Sequence, residues 1–503
     1  MRKMKLLINF ILPGIYLTFA GIIYSCKKSE VQGDIAINEV KVYQALPGNQ
    51  YLSDRYEVKI TKDGVSQNSY VYKDPNNDQR WFTQWPTKEV FMTLENHFTT
   101  FSFSGQAVVQ IKLPKRTAIS SVVVRPLSKN LSASINGNTI SIPLDGPANF
   151  FVEIDGEKRY PLFIFANAPE VNVPSPQDAN VIYFGPGVHE IGYKDGPMQN
   201  IPAGKTVYLA GGAYVKGVLK TNVQGGTILI RGRGILSGID IPGYSAYNGM
   251  IEARQATVNI EGIILVDSPQ GYQGIVSWGN GSVVSNVKIL SWAMESDAGA
   301  LGANSQISNC FYKMNDDIIK PTQPGMLFKD NIVWQQMNGS VIMLGWNSTT
   351  QGINATVSGL DVIGCDVGGV PNTTNAVQGI IDLKNSNGAT YKGMTIENIR
   401  LEKKPYRLMG IAIKQTDPGW TDNPKYNLGL GSIDGITFRN ISMPEAPVRL
   451  SIFNGNGNVT PESTGDIKNI TFENITIAGT PLTEQNSSNY ITRLGNTSNF
   501  NYK

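Results

Sequence analysis

Three carboxylates and one ammonium crowd the middle of the chain: Asp297 within Glu295-Ser296-Asp297-Ala298, then Asn315-Asp316-Asp317 and, three residues on, Lys320. Asp297 precedes Asp316 by 19 residues. In a chain that coils with a slightly longer period, the two lie on neighbouring coils of one face. Asp316 and Asp317 are adjacent, so a regular strand would point them to opposite faces. Both serve one site only where the chain bends. Two carboxyls across a sugar ring are what glycoside hydrolysis requires: one, kept protonated, donates to the leaving oxygen, and the other activates water or attacks carbon. A third carboxylate nearby helps keep the acid protonated, and Lys320 can return to the same groove as a cation. The competing reading is a β-turn in which Asp-Asp satisfies backbone donors or binds calcium.

Other side chains suit a saccharide groove. Trp292, Trp334 and Trp346 are interleaved with the acids, and aromatic faces stack on sugar C–H surfaces. Glu295, Gln335, Asn347, Gln378, Lys384, Lys414 and Gln415 are candidate polar ligands. The only histidines are His97 and His189. That excludes a histidine-rich metal site and leaves a Ser-His-Asp triad only these two, both of which read as packing residues. No metal and no organic cofactor is expected. The Gly-rich turn around Arg231 and Arg233 lacks a strand–loop–helix context and reads as a corner, not a phosphate loop.

The elements that must position these residues are strands. Short runs rich in Val, Ile, Thr and Phe, closed by Gly, Asn, Asp or Pro, argue for an all-β chain. Residues 26–170 hold alternating strands such as Tyr56–Ile60, Ala107–Ile111 and Phe150–Ile154, with turns at Asn136-Gly137 and Asp155-Gly156. These suggest an N-terminal antiparallel β-sandwich. A Pro-rich linker at 171–180 leads to residues 181–503, where an apolar–polar–Asn/Gly–apolar phrase recurs. Its copies include Val258-Asn259-Ile260-Glu261-Gly262-Ile263, Val284-Ser285-Asn286-Val287, Ile307-Ser308-Asn309-Cys310 and Phe328-Lys329-Asp330-Asn331. Val357-Ser358-Gly359-Leu360, Ile396-Glu397-Asn398-Ile399, Phe438-Arg439-Asn440-Ile441 and Phe472-Glu473-Asn474-Ile475 continue the series. A period near 20–25 residues, lengthened by insertions, is what a right-handed parallel β-helix produces, with Asn or Gly in a left-handed bend between short strands. A propeller would need more regular blades and tryptophan-rich signatures.

The first 25 residues read as a lipoprotein signal. Arg2, Lys3 and Lys5 precede an apolar run from Leu6 to Ile23, and Ser25 precedes Cys26, the expected lipidation site. This predicts an exported bacterial lipoprotein of the outer membrane, touching the membrane only through its anchor. Residues 26–503 carry 40 basic and 40 acidic side chains. A polyanion binder normally carries a basic excess, so nucleic acid is not an expected partner and a neutral substrate is favoured over an acidic one. Cys310 and Cys365 sit in apolar strand-like stretches and read as buried thiols.

Several segments carry a more specific likeness. Pro186–His189, the phrase Ala203–Ala213, the turn Arg231–Gly238, Ser296-Asp297, Asn315-Asp316-Asp317 and Lys320 together resemble pectin-lyase-like β-helix glycosidases. Within these the chain looks most like the dextranase family, glycoside hydrolase family 49, which pairs a β-sandwich with a β-helix. The resemblance implies an inverting α-glucan hydrolase with Asp316 as general acid and Asp297 and Asp317 activating water. Polygalacturonases share the layout but add a histidine and an Arg-x-Lys element for the uronate. Here Ser340–Trp346 contains no histidine and no late Arg-x-Lys occurs. The expectation is therefore a monomeric, dextranase-like hydrolase of a neutral polysaccharide. Its rivals are polygalacturonase-like hydrolysis or lyase action on another polysaccharide, and a lipoprotein that binds glycan without cutting it.

Overall fold

The computed structural model describes residues 40–503, except 76–92, 195, 244–247, 294, 347, 367–377, 386–387, 414–429 and 456–464. Cys26, Asn347, Lys414 and Gln415 therefore lie outside the described residues. Residues 37–503 form one compact unit.

Two sheets make the N-terminal sandwich, antiparallel as expected except where Leu162–Asn167 runs parallel to Glu95–Ser102. One orders Val65–Ser69, Glu57–Lys62, Ala107–Lys112, Thr139–Leu144 and Ser134–Asn136. The other runs Lys41–Val42, Glu95–Ser102, Leu162–Asn167, Ala148–Ile154 and Val122–Arg125, with Val71–Pro75 also paired to Glu95–Ser102. The alternating side chains Val58, Ile60, Val109, Ile111, Ile140 and Ile142 of the first sheet meet Phe101, Phe150, Val152, Leu162 and Ile164 of the second.

The second sheet is apolar on its outer face as well, so Leu162–Asn167 is buried at every position. Its odd-numbered Phe163 and Phe165, with Phe98 and Phe151, join Ile264, Leu290, Phe311, Ile332 and Trp334 in another core. The sandwich is thus seated on the side of the solenoid that follows it. Ion pairs line this junction: Arg125 reaches Glu153 and Glu402, and Lys158 reaches Asp366.

The solenoid shows the parallel stacking that the recurring phrase predicts. Ile182, Val207, Ile230, Ile260, Val284, Ile307, Phe328, Val357, Ile396, Phe438 and Phe472 are successive register partners, forming one apolar column inside the coils. The Asn and Gly residues expected at the bends have positive φ at Gly262, Asn286, Asn309, Gly359, Asn398, Asn440 and Asn474, while in the Phe328–Asn331 copy Asp330 takes that place and not Asn331. Asparagine tolerates this region because its amide bonds locally. Here that amide also bonds between coils, Asn440 to Asn398 at 2.9 Å and Asn474 to Asn440 at 2.8 Å. Cys310 is a buried thiol of this interior as expected, Cys365 is only partly buried, and no bond joins the two.

A further face of the solenoid positions the acids. Leu219–Lys220, Asn248–Ala253, Tyr272–Ser277 and Gly299–Leu301 form a four-stranded parallel sheet. Ile342–Trp346, Ile381–Asn385, Met409–Ala412, Ser451–Asn454 and Ile491–Leu494 form a five-stranded one. The coil between them contributes only the bridge Ile319–Ile342. Its irregular stretch before that bridge contains Asp316 and Asp317.

Candidate active site

Each acid sits on a bend next to a short strand. Asp297 precedes Gly299–Leu301, and the chain reaches it through Glu295 at φ +57°. Asp316 and Asp317 follow Phe311–Met314, where residues 315 and 316 bend the chain. That bend answers the adjacency problem, because both carboxyls turn to one side. Oxygens of Asp297, Asp316 and Asp317 lie within 4.8 Å of one another. Gly339 makes room for the turn. It has φ +69°, and a Cβ there would stand 2.4 Å from the Asp316 carbonyl carbon, so a side chain would force the two coils apart.

The three carboxyls are held differently. Asp316 Oδ2 accepts the Glu295 N–H at 2.6 Å and the Asn338 amide at 2.8 Å, and its Oδ1 accepts the Asp317 N–H at 2.9 Å. Asp317 Oδ1 accepts the Ser340 N–H at 2.9 Å. Asp297 Oδ2 accepts the Lys320 ammonium and, at 3.3 Å, the Gln273 amide. Burial, followed by the charges of Asp297 and Asp317, pushes Asp316 well above the usual carboxylate range. Burial and Asp297 push Asp317 up to about 6, against the opposing pull of Lys320 and Lys384. Burial alone would lower Lys320, but Asp297 and Asp317 outweigh it and raise the ammonium.

Such a cluster can hold a proton on one carboxyl beside an ionised neighbour, which is the arrangement of an acid and a base. Three close carboxylate oxygens are also a donor set for a hard divalent cation. Lys320 already supplies a cation at Asp297.

The remaining candidates divide. Glu295 serves Asp316 through its backbone N–H, while its side chain accepts Gln270 at 3.4 Å. Trp346 is 36 % exposed at the end of its strand, with the Lys384 ammonium 4.7 Å from its ring centre. Gln378 and Lys384 are buried on the same side, and Gln378 donates to the Gly339 carbonyl.

Three sequence expectations are corrected by burial. Trp292 is buried, with the buried Lys313 ammonium 4.5 Å from its ring centre. Trp334 packs on Phe151 and Phe163 of the sandwich and bonds Asp366 at 2.7 Å. Neither ring offers a face to a sugar. Gln335 is 0 % exposed beneath the site, where its amide donates to the Asn338 and Asp316 carbonyls. It braces the bend and does not line a groove.

Sequence reasoning missed Gln273, Asn338, Ser340 and Asp382. Only Asp382 carried a local signal, a carboxylate interrupting the apolar strand Ile381-Asp382-Leu383.

No protein-family model matches the chain. A dextranase of Arthrobacter globiformis is 27 % identical over 233 residues, 39 % of this chain and 35 % of that protein. The chain thus spans about a third of the length of the curated dextranases it matches. An isopullulanase of Aspergillus niger is 24 % identical over 472 residues, 79 % of each chain. Among solved structures, Dex49A from Penicillium minioluteum superposes with a TM-score of 0.65 at 17 % identity, covering 92 % of this chain and 96 % of that one. That likeness is one of fold. The dextranase-family resemblance carried by the motifs and the similarity to curated proteins point the same way.

Proposed function

We propose that this chain is a glycoside hydrolase of dextranase type that cleaves a neutral α-glucan, with Asp316 as general acid and Asp297 and Asp317 as the groups that activate water. The observation that carries the reading is the convergence of three carboxyls within 4.8 Å under unequal environments. Burial and the charges of Asp297 and Asp317 raise the Asp316 carboxyl well above the usual range, against the opposing backbone N–H bonds from Glu295 and Asp317. A protonated acid beside an ionised one is the division of labour that glycoside hydrolysis needs. Its proton goes to the departing glycosidic oxygen as the C1–O bond breaks. Asp317 or Asp297 removes a proton from the water that attacks C1.

Inversion is the outcome the dextranase resemblance implies. Inverting sites hold their carboxyls about 6.5–9.5 Å apart and retaining sites about 5–5.5 Å. Proton NMR of the first-formed anomer separates the two.

The activity itself is tested by reducing-sugar release and product profiling on dextran, pullulan and polygalacturonate, with Asp316→Asn beside the wild type. Cleavage of an α-glucan that disappears in the variant supports the reading. Cleavage of polygalacturonate alone, or an unsaturated product absorbing near 235 nm, overturns it. The proposed lipid anchor at Cys26 is tested by fatty-acid labelling of the chain and of Cys26→Ala.

A further inference from the structure

Asp382 stands on Ile381–Asn385, two coils beyond Lys320. Ile319 bridges Ile342, and the next residue along, Met343, is in register with Asp382. Asp382 is 0 % exposed, yet its Oδ1 has no hydrogen-bond partner. Its Oδ2 accepts the Ser340 hydroxyl at 3.0 Å and lies 3.9 Å from the Lys384 ammonium. Ser340, also 0 % exposed, is the residue whose backbone N–H holds Asp317 Oδ1 at 2.9 Å. Its neighbour Gly339 passes against the backbone of Asp316 and Asp317. One short segment therefore touches both aspartates of the bend and is tied from behind to a buried carboxyl. Burying a carboxyl with half of its hydrogen-bonding capacity unused is costly, and the solenoid core has no need of it.

We propose that Asp382 is a positioning residue for hydrolysis: through the Ser340 hydroxyl it fixes the main chain that aims Asp317 at the attacking water. This rests on the hydrolase reading above and assigns Asp382 no contact with substrate. Burial pushes the Asp382 carboxyl up to about 7. Lys384 on its own strand and Arg407 from the following coil oppose this, and Asp317 from two coils back reinforces it. Below that pH the acid can carry its proton on the unpartnered Oδ1 while Oδ2 still accepts from Ser340. Asparagine reproduces that arrangement and alanine does not.

The test compares Asp382→Asn, Asp382→Ala and Ser340→Ala at pH 5, with kcat expressed per folded molecule by calorimetry. A misplacement on the order of 1 Å can cost about 100-fold in rate. Asp382→Ala is thus expected to lose roughly 10–100-fold in kcat with KM within about 2-fold, and Asp382→Asn to stay within about 3-fold of wild type. Ser340→Ala keeps the N–H that holds Asp317 and loses only the tie to Asp382. Its expected loss is about 10-fold, and it remains informative if Asp382→Ala fails to fold. Wild-type kcat in Asp382→Ala or in Ser340→Ala overturns the proposal, and so does equal damage in Asp382→Asn and Asp382→Ala. A wild-type protein inactive on every α-glucan would instead overturn the hydrolase reading itself.

Discussion

Replacing Asp317 by asparagine should abolish activity and at the same time stabilise the protein, but only above the pH at which the aspartate ionises. Asp317 is 8 % exposed, and its carboxyl is pushed from the ordinary 3.8 to about 6. A folded state that holds a proton more tightly than the unfolded chain loses stability as pH rises through that interval. The difference of about 2 units corresponds to roughly 3 kcal/mol, absent at pH 3.5 and fully expressed above pH 7. Asparagine carries no charge, and its carbonyl still accepts the Ser340 N–H that Asp317 Oδ1 accepts. The gain at pH 7.5 should therefore be roughly 2–3 kcal/mol. For the unit of residues 37–503, unfolding entropy of about 2.1 cal/mol/K per residue makes this roughly 2–3 °C in Tm. Differential scanning calorimetry of both proteins at pH 3.5 and 7.5 reads the effect directly. A Tm difference that does not change with pH would refute the argument, and so would an asparagine variant less stable than wild type at pH 7.5.

Asp316→Asn should lose about 10²–10⁴-fold in kcat on an α-glucan, and far less on an aryl glycoside whose leaving group needs no proton; equal losses would remove Asp316 from the role of acid. Lys320→Met deletes a cation that lowers Asp317, so the acid limb of the kcat/KM profile should move up by roughly 1 pH unit. A limb that stays in place would show that Lys320 does not act on the base. Dialysis against a chelator should leave activity unchanged, because Lys320 meets Asp297; loss restored by calcium would mean that the carboxyls hold an ion. Phe163→Ala empties a site shared by Phe151, Phe311 and Trp334 and should cost about 3–5 kcal/mol in denaturant unfolding. A cost below about 1 kcal/mol would mean that the junction does not hold sandwich and solenoid together.

What the sequence determined by itself is the part set by local rules. A coil needs an apolar side chain at a fixed place and a residue tolerant of positive φ beside it, so Phe438-Arg439-Asn440 announces both the stacked column and the bend. The 19-residue interval likewise placed Asp297 near Asp316, because a solenoid converts sequence period into spatial neighbourhood. Tertiary structure decided what lies over each outward face. Trp334 and Phe311 point out of their coils and would read as groove residues, but Phe151 and Phe163 of the sandwich cover them. No pattern within residues 290–350 records that a sheet some 150 residues earlier will sit there. The direction of Asp317 was equally hidden, since it depends on a bend braced by Gln335, Gly339 and Ser340 from the next coil. Asp382, 65 positions further along the chain, meets Ser340 only because parallel coils stack residues that the chain itself keeps far apart.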